Sequence, residues 1–114
     1  MRLSIYIAGP FTNGETLPQR TVKKNVKRAI EVGAKIKRKG HYIFIPHYSY
    51  YMDASGYSFE YDDWMREDLY WIKKCDAMFV IEGKSIGVDR EIEYAKHLKK
   101  RIFHDLNEVP DGEM

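Results

Sequence analysis

The chain has 114 residues, 44% of them hydrophobic and 14% aromatic, and its 19 Lys and Arg nearly balance its 17 Asp and Glu. Those figures fit one globular domain with enough apolar side chains for a core, and they exclude a disordered segment; a net charge of +2 also argues against a strongly basic nucleic-acid binder. No apolar run is long enough to span a membrane, residues 1–6 hold no useful leader, and the lone Cys75 cannot form an internal disulfide, so a single cytoplasmic domain over residues 1–114 is expected.

Residues 3–8 form a short apolar run with β-branched and aromatic members, closed by Gly9-Pro10, and read as a buried strand. A polar loop follows. Pro18 then opens a long helical pattern in which Val22, Val26, Ala29, Ile30, Gly33 and Ile36 share one face, and Gly40 stops it after a run of basic residues. Residues 41–45 read as a second strand closed by Pro46, and residues 47–60 as a long Tyr-rich loop of the kind that serves as a lid or binding loop. A second helix is expected from Asp62 to about Lys74 with Met65, Leu69 and Ile72 inward, and a third strand over residues 76–81. After a Gly/Ser loop at 82–87 come a third helix from Val88 to about Lys99, a fourth strand at 101–105, and a polar tail from Asn107 that is expected to fray.

This alternation predicts an α/β fold: a three-layer, flavodoxin- or Rossmann-like parallel sheet of four to five strands with helices on both faces, in the order 2-1-3-4. In such sheets ligands bind at the carboxyl ends of the strands beside the topological switch point. Here those ends are Gly9-Pro10-Phe11 and the loop from Glu82 to Gly87.

Two acids border apolar helix faces near that place. Glu91 lies three residues after Val88 and four before Ala95, and Asp68 three after Met65 and four before Ile72. Carboxylates in such positions are either desolvated, with raised pKa, or are edge and structural acceptors. A pair in different environments is what glycosyl transfer needs, one as nucleophile and one holding a proton for the leaving group. Gly83, Ser85 and Gly87 precede a helix N-terminus, where backbone N–H groups and a hydroxyl favour an anion; an ordinary βα turn looks the same in sequence. Tyr6 points its hydroxyl either into the cleft or into the sheet face, and His47 is a candidate ligand contact. Gly9-Pro10-Phe11 begins neither a P-loop nor a dinucleotide fingerprint, so no NAD or ATP is expected, and the four His with one Cys show no metal spacing. The basic stretch from Arg20 to Lys39 reads as a solvated helix face, and no stable nucleic-acid complex is expected.

The strings Asp68-Leu69-Tyr70-Trp71-Ile72-Lys73-Lys74-Cys75-Asp76-Ala77, Ser85-Ile86-Gly87 and Glu91-Ile92-Glu93-Tyr94-Ala95, with Tyr6-Ile7-Ala8-Gly9-Pro10-Phe11 near the start, resemble the nucleoside 2-deoxyribosyltransferase superfamily over most of residues 3–104. Within it the chain looks nearest to the 2′-deoxynucleoside 5′-phosphate N-hydrolases and small phage and bacterial relatives. The resemblance implies a flavodoxin-like domain that cleaves or transfers the N-glycosidic bond of a deoxynucleoside or nucleoside 5′-monophosphate through a covalent glycosyl-glutamate intermediate. It makes Glu91 the nucleophile, Asp68 the candidate general acid and Tyr6 the residue that orients the nucleophile. Gly9, Pro10, Phe11, Ser85, Gly87 and His47 would bind substrate, Asp76 would be structural, and no metal or organic cofactor is implied. Ser85, where the transferases carry an acid, favours a 5′-phosphate. Asp89 and Glu93 depart from the small residues usual beside the nucleophile, adding charge and bulk there, and motivate an alternative: a nucleotide-binding or sensor module without turnover. The partner expected is a small-molecule nucleoside or nucleotide, within a homodimer or larger homo-oligomer whose neighbouring copy walls the cleft.

Overall fold

The apolar run at the start of the chain becomes strand β1, Ser4–Ala8, and the three later runs become β2, Tyr42–Phe44, β3, Ala77–Val80, and β4, Arg101–Phe103. The computed structural model describes residues 1–11 and 17–113. All pairings are parallel and the order is β2-β1-β3-β4, as the alternating pattern predicts, with Ile5 beside both Ile43 and Ala77, and Phe79 beside Phe103. The two central strands are covered on both faces, which explains why β3 and most of β1 are unbroken apolar runs.

Helix α1, Gln19–Arg38, covers the face that carries Ile5, Ile7 and Phe79. Helices α3, Tyr61–Lys74, and α4, Ile86–His97, cover the other, packing Ile72, Val88 and Ala95 against Tyr6, Met78 and Val80. Between β2 and α3 lie a 3-10 turn, Pro46–Tyr48, and a short helix α2, Ser49–Ala54. Among the described residues no helix is long and apolar enough to cross a membrane.

Three local expectations are corrected. Ile30 is 42% exposed, whereas Val22, Val26, Ala29, Gly33 and Ile36 are buried: one residue beyond Ala29 is a turn of about 100°, enough to carry Ile30 off the stripe. The segment expected to be a loop between His47 and Glu60 contains α2, a helix without an apolar period, because its outer side chains face solvent. The tail does not fray. Asp105 and Glu108 form a capping box on a 3-10 turn, Leu106–Glu108, and Val109 is buried in the core.

Beyond that turn the chain is tied to the end of α1. The amide of Gly112 donates to the Lys39 carbonyl at 2.7 Å, and that of Glu113 to the Gly40 carbonyl at 3.2 Å. His41 accepts the Leu3 amide on Nδ1 at 3.0 Å, so its Nε2 carries the proton and donates to the Pro110 carbonyl at 2.6 Å. Gly40 makes this junction possible. Its φ is +100°, and a Cβ there would lie 2.4 Å from the Glu113 carbonyl oxygen. Gly40→Ala is therefore expected to cost about 2 kcal/mol or more, through left-handed strain and a backbone clash, and to lower the melting midpoint followed by circular dichroism. An unchanged midpoint would contradict this packing.

Candidate active site

Parallel strands put all their carboxyl ends on one edge, and three chemistry-bearing side chains meet there. Tyr6 alternates with Ile5 and Ile7, so it faces α3 and α4, fully buried. Its hydroxyl donates to Oε2 of Glu91 at 2.6 Å. Glu91 shares the inward stripe of α4 with Val88 and Ala95 and is 5% exposed. Asp68, on the inward side of α3, makes a side-chain hydrogen bond to the same carboxyl.

Burial sets the electrostatics. It pushes Asp68 up to about 8, aided by the negative charges of Glu91 and Glu67. Burial also raises Glu91, to about 7, but hydrogen bonds from Tyr6 and Asp68 hold it back by favouring the ionised form. The phenol of Tyr6 is raised well above its ordinary value by burial and by the Glu91 charge beside it, so it stays a donor. The consistent arrangement is a protonated Asp68 and a protonated Tyr6 donating to an ionised Glu91, with one proton shared by the two carboxyls. Asp89 and Glu93, expected to crowd Glu91, are exposed, and the shift at Glu91 comes from its own burial.

A cleft of about 430 Å³ opens over the carboxyl pair. Gly9, Phe11, His47, Asp68 and Glu91 line it, as does Tyr50 from the Tyr-rich segment expected to be a lid or binding loop, together with Gln19, Asp53, Phe59 and Trp64, which the sequence did not single out. Gln19 donates to the Tyr50 hydroxyl at 2.8 Å, joining α1 to α2 across the cleft wall. Those four lie where periodicity is silent, on the first turn of α1, on α2, and just before or within the first turn of α3. The one available signal was the density of aromatics from Tyr48 to Trp64.

His47 holds the loop after β1. Its Nε2 lies 3.1 Å from the Gly9 carbonyl and 3.2 Å from that of Pro10, so it carries the proton. Burial lowers its pKa, leaving the ring neutral, and its buried Nδ1 has no hydrogen-bond partner among the described residues. Phe11 tilts against the same ring, centroids 5.4 Å apart.

Pro10, Ser85 and Gly87 are not among the residues that line the cleft. Ser85 is the N-cap of α4, accepting the Val88 amide at 3.2 Å. Gly83, φ +142°, lets the β3–α4 loop close onto the β1 loop: a Cβ there would lie 2.6 Å from Cγ of Pro10. From α1, Asn25 donates to the Phe11 carbonyl at 3.3 Å and Arg28 to that of Glu82 at 3.1 Å, bracing both loops. Asp76 is at the other end of the sheet, where it accepts the Ser4 amide at 2.8 Å and the Ser4 hydroxyl at 3.0 Å and joins β1 to β3. Cys75, buried, is pushed up to about 11, chiefly by burial, and is inert as a nucleophile. No cluster of three or more His, Cys, Asp or Glu that could hold a metal ion occurs among the described residues.

Comparison with solved structures gives the same architecture. A 2-desoxiribosyltransferase from Leishmania mexicana superposes with a TM-score of 0.61 at 21% identity over 88% of this chain, which spans 61% of the Leishmania protein's length. A 2-deoxyribosyltransferase from the psychrotolerant bacterium Bacillus psychrosaccharolyticus gives a TM-score of 0.61 at 20% identity over 97% of this chain and 98% of its own. At such identities the likeness is one of fold. No curated protein matches the chain in sequence. A family model does, over residues 3–105, and on that span the protein belongs to the family described as a domain of unknown function, DUF7768.

Proposed function

We propose that the protein cleaves the N-glycosidic bond of a deoxynucleoside, or transfers its deoxyribosyl group, with Glu91 as nucleophile and Asp68 as general acid. One observation carries this reading: a buried carboxyl pair at a cleft, hydrogen-bonded to each other, with Tyr6 donating to the member on α4. That the fold is shared with 2-deoxyribosyltransferases supports it.

An oxygen of ionised Glu91 attacks C1′ and forms a glycosyl ester while the C1′–N bond breaks, its electron pair leaving with the base. Asp68 gives its proton to that base nitrogen. Water or a second base then attacks C1′, the ester bond breaks back to the Glu91 carboxylate, and the incoming nucleophile's proton goes to Asp68. Tyr6 positions the nucleophile and stabilises its charge.

The sugar end is better matched to a free 5′-hydroxyl than to a 5′-phosphate. Among the described residues no Lys or Arg lines the cleft, whereas Asp53, Asp68 and Glu91 do, and a phosphate dianion would meet repulsion. Ser85, the residue read from the sequence as favouring a 5′-phosphate, caps α4 through its oxygen and is not among the residues lining the cleft. Incubation with a panel of deoxynucleosides and their 5′-monophosphates, followed by chromatography for free base, tests the proposal. Release is expected from the nucleosides and not from a Glu91→Ala control. Ligand bound but recovered intact would instead favour a sensor module, and no response at all would sink both readings.

A further inference from the structure

The lining of the cleft combines two chemistries that a neutral base does not fully use. Four aromatic rings belong to it: Phe11 and Tyr50, edge to face with centroids 6.4 Å apart, and Phe59 and Trp64, edge to face at 5.6 Å. Three carboxyl side chains belong to it as well, whereas among the described residues no Lys or Arg does. Asp68 and Glu91 share a proton and are taken up by the reaction. Asp53 is not. It lies on α2, exposed, where the Ser58 hydroxyl donates to its Oδ1 at 2.8 Å and holds the carboxylate in place. Among the described residues no Lys, Arg or His forms an ion pair with it. Aromatic faces carry partial negative charge, so rings beside an unpaired carboxylate make a site for an aromatic cation.

We propose that the cleft prefers deoxynucleosides whose base carries a fixed positive charge, purines alkylated at N7, over neutral ones; the reaction on them rests on the reading of Glu91 as nucleophile, the binding does not. A quaternised purine meets both chemistries at once. Its ring stacks on the aromatic lining, its charge is attracted by the ring faces and by Asp53, and a neutral purine gains only the stacking. The charge also changes how the base leaves. As the Glu91 oxygen bonds to C1′ and the C1′–N9 bond breaks, the electron pair returns to the positive ring and the base departs neutral, so Asp68 keeps its proton. Water then opens the ester, Glu91 returns as the carboxylate, and the water's proton passes to solvent. The activity this adds is the removal of alkylated bases from damaged deoxynucleosides.

Calorimetry of the wild-type chain with 7,9-dimethyladeninium and with 9-methyladenine tests this. The two probes differ by one methyl group and one charge, and that charge does not titrate. Neither has a glycosidic bond, so the result does not depend on Glu91 acting as a nucleophile; base release from ordinary deoxynucleosides decides that separately. The cation is expected to bind about tenfold more tightly or better. Asp53→Asn changes an exposed side chain, with folding checked by circular dichroism, and is expected to lower that ratio by about threefold or more. Added salt is expected to narrow the ratio in the wild type, a reading that needs no variant. Equal or reversed affinities, a preference that neither Asp53→Asn nor salt reduces, or a cleft that binds neither probe would each overturn the proposal.

Discussion

If Glu91 is the nucleophile, Glu91→Gln is expected to lower base release by about 10⁴-fold or more, because an amide cannot form the glycosyl ester at C1′. Asp68→Asn is expected to lower it by about 10²–10⁴-fold, the usual worth of a positioned proton donor. The two are told apart by the leaving group. A base that departs readily as an anion needs little protonation, so it narrows the Asp68→Asn deficit and leaves the Glu91→Gln deficit untouched. Rate against pH gives a second signature. The proposed mechanism needs Glu91 ionised and Asp68 protonated, so with the pair raised to about 7 and about 8 the expected profile is a narrow bell between neutral and mildly alkaline pH. Tyr6→Phe removes a donor to the Glu91 carboxylate, raises that group's pKa, and is expected to move the acid limb of the bell to higher pH. Equal deficits for good and poor leaving groups in Asp68→Asn would argue against its role as acid.

The same pair makes the site a stability cost at alkaline pH. Both carboxyls have folded pKa values above their ordinary ones, so the folded state keeps protons that the unfolded chain has released. Their contribution is therefore favourable at low pH and is lost as pH rises from about 4 through the folded values near 7 and 8. His47, depressed by burial, acts in the opposite sense below its ordinary value, and that effect is common to wild type and carboxyl variants. The difference between Asp68→Asn and wild type isolates the carboxyl. Asn still donates to Glu91 without a buried charge, so the variant is expected to be more stable than the wild type by about 1–3 kcal/mol at pH 8.5, with the advantage shrinking towards pH 5. Thermal melts of both proteins at the two pH values check this, and an advantage that does not grow with pH would contradict the assignment.

The sheet order and most of the helix faces were legible because each rests on a period, and the periods of three and four along α3 and α4 set Asp68 and Glu91 beside apolar faces while leaving open whether they, or Tyr6, faced a cleft. What was not legible depends on contacts that no period encodes. The protonation of Nε2 on His47 follows from two carbonyls on a loop 37 and 38 residues away, and its neutral state from burial. The docked tail was announced by Asp105 and Glu108 at capping-box spacing, but its attachment to Gly40 needs a left-handed residue whose partner lies at the far end of the chain. Ser85 shows the limit of motif reading: a Gly/Ser spacing before a helix does not say which backbone amide the serine will cap, and here its oxygen accepts that of Val88.

The glycosyl-enzyme intermediate tests the account most directly. Acid quench of the protein during turnover of a deoxynucleoside, followed by mass analysis of its peptides, is predicted to find a deoxyribosyl ester on Glu91 and none in Glu91→Gln. Base release that proceeds with Glu91 unmodified, at a rate that Glu91→Gln retains, would contradict it.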